Sequence, residues 1–176
     1  MATALVELDV LGVRRQLPAD QVVVLLLDQP GHRLLPIVVG VWEGTAIATG
    51  HAAVAPPRPM THDLMMSLMT AVGAALDHVE IVALEEGVFY AELVLADGTR
   101  VDSRASDAIA LAVRARVPVL CAEPVMSESG VIVEDRDTEE EVAEFRSFLD
   151  TVEPEDFEGG GGGPREGSGG AVGPGT

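Results

Sequence analysis

Residues 4–11 alternate apolar side chains with Glu7 and Asp9, the period of a strand with one wet face, and Gly12 predicts a turn after it. Two Val-, Leu- and Ile-rich runs, Val22–Leu27 and Arg33–Val39, flank Asp28-Gln29-Pro30-Gly31-His32. Asp, Pro and Gly each favour a turn, so this stretch predicts a hairpin. Trp42–Ala48 reads as the start of a helix, kept short by Gly44 and Gly50. Pro56, Pro57 and Pro59 make a stiff extended connector. Beyond it Thr61 stands where an N-cap belongs. Leu64, Leu68, Val72 and Leu76, with Met65 and Met69 beside them, recur at helical spacing and mark the apolar face of a helix over 62–76.

The second half repeats this order. Val79–Leu84 and Val88–Leu95 are strands around Glu85-Glu86-Gly87, and Asp97-Gly98 turns the chain into Thr99–Ser103. Ser106 caps a predicted helix from Asp107 to Arg116, which closes on Arg114 and Arg116 as the helix dipole favours; Pro118 stops it, and a strand follows over Val119–Ala122. Ala46-Ile47-Ala48 and Ala108-Ile109-Ala110 fall at matching places. The fold class expected is α+β: a duplicated β-β-β-α unit forming a mixed or antiparallel sheet with helices packed on it. Three regions follow. Residues 1–133 form the domain. Residues 134–158 are an acidic segment in which Thr138-Glu139-Glu140-Glu141 matches a capping box, and Val142, Phe145 and Leu149 give a helix over 139–150 one apolar stripe. Residues 159–176 are Gly-rich, with too little side-chain surface to offset the entropy of ordering, and are expected to be disordered.

Composition narrows this picture. The chain is 47% hydrophobic but only 3% aromatic, so its core is aliphatic. Cys121, the single cysteine, sits in Val119-Leu120-Cys121-Ala122 and reads as a small buried side chain. No apolar run reaches the roughly 18 residues of a membrane span, and Glu7 and Asp9 stand where an export signal would be basic and apolar; a cytoplasmic protein is expected. The net charge of −18 excludes binding of a polyanion by bare electrostatics. Residues 134–176 hold 13 acids and 3 arginines, and residues 1–133 hold 16 acids and 8 arginines, so even the domain is acidic. There is no lysine, and each cationic side chain is therefore a guanidinium suited to bidentate phosphate or carboxylate contacts.

Polar residues gather at three predicted helix entrances: Glu43, Arg58-Pro59-Met60-Thr61-His62-Asp63, and Asp102-Ser103-Arg104-Ala105-Ser106-Asp107. Free backbone N–H groups at such places favour anions. The same blocks, together with Leu35-Pro36-Ile37-Val38-Val39-Gly40, Gly87-Val88-Phe89-Tyr90-Ala91 and the run continuing through Ala108-Ile109-Ala110-Leu111-Ala112, occur in the order found in the bifunctional nuclease domain family, which the chain resembles over residues 4–128. The acidic helix and Val152–Phe157 are similar to the C-terminal extension of longer actinobacterial members. There are departures: Arg104-Ala105-Ser106-Asp107 stands where the family has Arg-Pro-Ser-Asp, and Gly44 follows Glu43 where Ala is usual. The resemblance implies an α+β homodimer able to cut both DNA and RNA.

Hydrolysing a phosphodiester needs an activated water and positive charge on the phosphoryl oxygens, commonly from Mg²⁺ or Mn²⁺ on carboxylates. The candidates are Glu43, His62, Asp63 and Asp107 for catalysis, Arg58, Arg104 and Ser106 for substrate, and Glu43, Asp63, Asp102 and Asp107 for a divalent metal. Each has an inert alternative. Thr61 and Ser106 serve as caps; Asp63 and Asp107 suit a first turn in any protein; Arg58 and Arg104 can pair with nearby acids. Trp42 reads as a core or subunit-interface anchor, and Met60, Met65, Met66 and Met69 as packing. His32, His51 and His78 lack metal-ligand spacing. Two readings stay open: a metal-assisted nuclease acting on DNA and RNA, and a non-catalytic dimeric regulatory module of the same fold.

Overall fold

The computed structural model describes residues 4–16 and 21–133. In chain order they form β1 (Leu5–Gln16), β2 (Gln21–Asp28), β3 (Arg33–Val39), α1 (Val41–His51), α2 (Thr61–Ala71), β4 (Leu76–Glu85), β5 (Val88–Leu95), β6 (Arg100–Arg104), α3 (Ala105–Ala115), β7 (Val119–Ala122), α4 (Glu123–Ser129) and β8 (Val131–Ile132). The sequence expectations for residues 134–158 and 159–176 lie outside the described residues.

The eight strands make one mixed sheet in the order β6-β5-β4-β7-β1-β2-β3-β8. All neighbours are antiparallel except β4 and β7. The α+β expectation and the repeated unit are both present: β1-β2-β3-α1 and β4-β5-β6-α3 spread outward from opposite sides of β7. The turns use the predicted residues. Glu86 (φ 50°) and Gly87 (φ 81°) both take left-handed values, as a tight two-residue hairpin turn requires. The Asp28 carboxylate accepts the Gly31 N–H at 3.1 Å and is buried beside Arg33. Gly12, however, does not turn the chain. At φ 133° it sits at a bulge between Val10 and Gly12, and β1 continues against β2 to Gln16.

The core lies where α1 and α3 pack on each other and on the sheet. α3 buries Ala105, Ala108, Ile109, Ala110, Leu111 and Ala112, small side chains that allow close approach. α1 is longer than its glycines predict, because packing overrides propensity. A Cβ at Gly44 would come within 2.4 Å of Val22 Cγ1, so the glycine lets α1 lie tightly on β2. α4 and β8 were not legible in the sequence, being only 7 and 2 residues long.

Five expectations need correction. Thr61 is the first residue of α2 rather than its cap; Met60 holds that position, and its N–H donates to the Asp63 carboxylate at 2.9 Å. Ser106 does not cap α3 either, since the helix begins at Ala105 and Arg104 is its N-cap residue. α2 ends at Ala71, before Gly73 (φ 74°), and Leu76 opens β4 instead of extending the helix. Its predicted apolar face points to solvent: Leu64, Leu68 and Val72 are 62%, 61% and 71% exposed, and no α2 residue is fully buried. Met60, Met66 and Met69 do pack against the core from the other side, while Met65 faces outward. Trp42 is 81% exposed, which rules out the core half of its expectation.

Candidate functional site

The duplication places the first turns of α1 and α3 side by side, because each helix follows the third strand of its unit. Arg104 links them. Its Nε and Nη2 donate to Asp107 Oδ2 and Oδ1 at 2.6 and 3.1 Å, and its Nη1 donates to Glu43 Oε1 at 3.2 Å. α2 brings a third first turn to the same place, and His62 Nε2 lies 3.1 Å from Asp107 Oδ1. Glu43, His62, Arg104 and Asp107, separated by up to 64 residues in sequence, therefore form one connected cluster.

Its electrostatics are set by these contacts. Burial alone would raise the Asp107 carboxyl, but hydrogen bonds from Arg104 and His62 outweigh it and hold the group below the ordinary carboxylate range. The same bond to Asp107 raises Arg104 further above its ordinary value. Arg104 nevertheless keeps 65% of its side chain exposed, against 14% for His62, so the guanidinium is the accessible member and the imidazole the sheltered one. Three guanidinium N–H groups are engaged, and the remaining donors of the fork are left for an incoming anion.

The other candidates are placed differently. Asp63 is adjacent in sequence but turned to a second arginine: Arg114 Nε donates to Asp63 Oδ1 at 2.6 Å. Burial pushes Asp63 upward, yet the bonds from Arg114 and the Met60 N–H hold it below the usual range. Asp102 is exposed on β6, opposite Glu92 of β5, and Arg58 is exposed in the Pro-rich connector; neither makes an ion pair among the described residues. Ser106 makes no side-chain hydrogen bond among the described residues. The four carboxylates proposed as metal ligands thus do not converge. Glu43, Asp63 and Asp107 are committed to arginines, and among the described residues no three His, Cys, Asp or Glu side chains are grouped to hold a cation. The residues present do not fit a resident Mg²⁺ or Mn²⁺.

Arg114 was read from the sequence only as a favourable helix-end charge. The available signal was its spacing of seven from Asp107, which puts both on one face of α3.

A mixed eight-stranded sheet with two packed helices whose first turns share an arginine-linked acid and imidazole cluster defines the class: an α+β domain with a polar site at its helix entrances. The bifunctional nuclease domain matches residues 24–134, and the chain belongs to that family. Two curated relatives from Mycobacterium tuberculosis, one from strain CDC 1551 / Oshkosh and one from strain ATCC 25618 / H37Rv, are each 42% identical over 159 residues. The alignment covers 86% of this chain and 97% of each relative, and both carry the description "uncharacterized protein".

Proposed function

We propose that the protein is a nuclease that hydrolyses phosphodiester bonds in DNA and RNA at the Glu43–Arg104–Asp107–His62 cluster. The observation that carries this reading is the exposed Arg104 fork held beside a sheltered His–Asp pair. In it, Arg104 binds the phosphate and offsets charge on its oxygens. With the Nε2 proton donated to Asp107, His62 Nδ1 keeps a lone pair and takes a proton from the attacking water as the water oxygen bonds to phosphorus. The ester P–O bond breaks, and the departing oxygen takes its proton from solvent. Asp107 orients the ring and stabilises the imidazolium. Glu43 holds Arg104 in place from the other side.

A homodimer belongs to the same proposal. Two copies of a chain of net charge −18 repel each other except through an uncharged patch, and α2 supplies one. Leu64, Leu68 and Val72 form an exposed stripe with no charged residue after Asp63. One observation favours the second reading, a non-catalytic dimeric module: each cluster carboxylate is already satisfied by an arginine or an amide, as in a structural network.

Cleavage of plasmid DNA and of single-stranded RNA by the purified full chain decides between them, run with Mg²⁺, with Mn²⁺ and in EDTA. On the nuclease reading, His62→Ala and Arg104→Ala each lower kcat/KM by about 10²- to 10³-fold. Activity that survives EDTA matches the committed carboxylates; activity abolished by EDTA returns the metal ion to the scheme. Cleavage unchanged in both variants refutes this site, and no cleavage by any preparation leaves the module.

A further inference from the structure

We propose that Arg114 is a positioning residue, whose buried guanidinium bolts the first turn of α2 to α1 and α3 and so fixes the His62 imidazole on the Asp107 carboxylate. The inference rests on the reading of that cluster as the reactive site. Asp107 and Arg114 are seven residues apart on α3, about two helical turns, and share a face. His62 and Asp63 are consecutive on α2. His62 meets Asp107 and Asp63 meets Arg114, so the start of α2 is held at two points along a single face of α3.

The Arg114 contacts join all three helices. Nε donates to Asp63 Oδ1 at 2.6 Å, and Nη1 donates to the carbonyl oxygens of Ala46 on α1 and Ala110 on α3, each at 2.8 Å. The side chain is only 8% exposed. α1 is shaped to admit it: a Cβ at Gly50 would lie 2.5 Å from Arg114 Nη1.

Arg114 Nη2 is buried with no hydrogen-bond partner among the described residues, an arrangement that costs free energy and offsets part of what the contacts to Asp63, Ala46 and Ala110 contribute. α2, meanwhile, buries none of its residues fully and rests on the core through the partly buried Met66 and Met69. The clamp adds a polar contact to that packing. Asp63, expected from the sequence to be catalytic or a metal ligand, becomes the α2 half of that clamp.

The test compares Arg114→Met, Arg114→Lys and Asp63→Asn with the wild-type full chain. It reads the ring-nitrogen NMR signals of His62 at fixed pH, the Tm, and kcat and KM on a nucleic-acid substrate. Arg114→Met is expected to lower the Tm, because Asp63 and the Ala46 carbonyl lose their donor, while the His62 signals move toward those of an Asp107→Asn control. Cleavage should show kcat lowered roughly ten- to hundredfold with KM unchanged, since Arg104 still binds the phosphate. Arg114→Lys should recover part of the loss. Should Arg114→Met fail to fold, Asp63→Asn carries the measurement, because Arg114 then keeps both carbonyl partners. His62 signals unchanged in the folded clamp variants overturn the proposal. If the wild type cleaves nothing, the nuclease reading fails, while the NMR comparison still decides whether Arg114 positions His62.

Discussion

Histidine 78 shows how one side chain can give this fold a pH response away from the cluster. Its ring lies 2.7 Å from Asp77 and 2.9 Å from Glu80, and Glu80, nearly buried, also receives Arg100. Burial alone would lower His78, but the two carboxylates outweigh it and raise the group. Glu80 is raised by burial and, more strongly, lowered by His78 and Arg100. A raised histidine contributes stability that is fully present below its unfolded value, about 6.5, and is lost as pH climbs through the folded one. Tm should therefore fall as pH rises above about 6.5, and His78→Gln should flatten that slope in thermal melts. Asp63 and Asp107 act with the opposite sign. Their lowered values stabilise the fold above the ordinary carboxylate range and cease to do so in acid. At this scale, residue types at helix starts were legible: Glu43, His62, Arg104 and Asp107 could be picked out because capping and anion chemistry favour them there. Which acid pairs with which arginine was not, since Asp63 and Asp107 have the same sequence setting and only the third dimension gives one to Arg114 and the other to Arg104.

Among the elements, strands were read best. Arg33–Val39, Val88–Leu95 and Val119–Ala122 stand as expected, because β-branched runs bounded by turn residues have few other ways to fold. Helices failed instructively. Periodicity in α2 identified a helix and an apolar face, but not which way that face looks, and the stripe that resembled a core contact is on the outside. Replacing Leu64 and Leu68 with Glu should leave secondary structure intact and convert a dimer to monomer in sedimentation experiments. A chain already monomeric as wild type would remove α2 as an interface. α3 is the reverse case, a helix whose small and aliphatic residues are sealed in. Ile109, fully buried in the core, should cost about 2–5 kcal/mol on truncation to Ala, measured by denaturant unfolding.

At the level of the whole molecule, acidity and architecture pull in different directions. A net charge of −18 repels itself and any nucleic acid, so on the nuclease reading Arg104, set between acids, meets a phosphate inside an unfavourable long-range field. Added salt screens that field within about 10 Å at 0.1 M. Tm should therefore rise when NaCl is raised from about 20 to 200 mM, the range in which such screening sets in. A flat or falling Tm would mean that the arginine–carboxylate pairs, which salt weakens, dominate instead.

β7 carries a last consequence. Its four residues are all that join the two triplets of strands within the sheet, taking β1 antiparallel on one side and β4 parallel on the other. During synthesis they leave the ribosome after both triplets and α3 have emerged. Until then Leu5–Leu8 and Val79–Ile81 are naked edges, free to recruit strands from neighbouring chains. A nascent polypeptide that has emerged only as far as about residue 115 thus exposes both edges, and the few residues that emerge next are the zip that closes them.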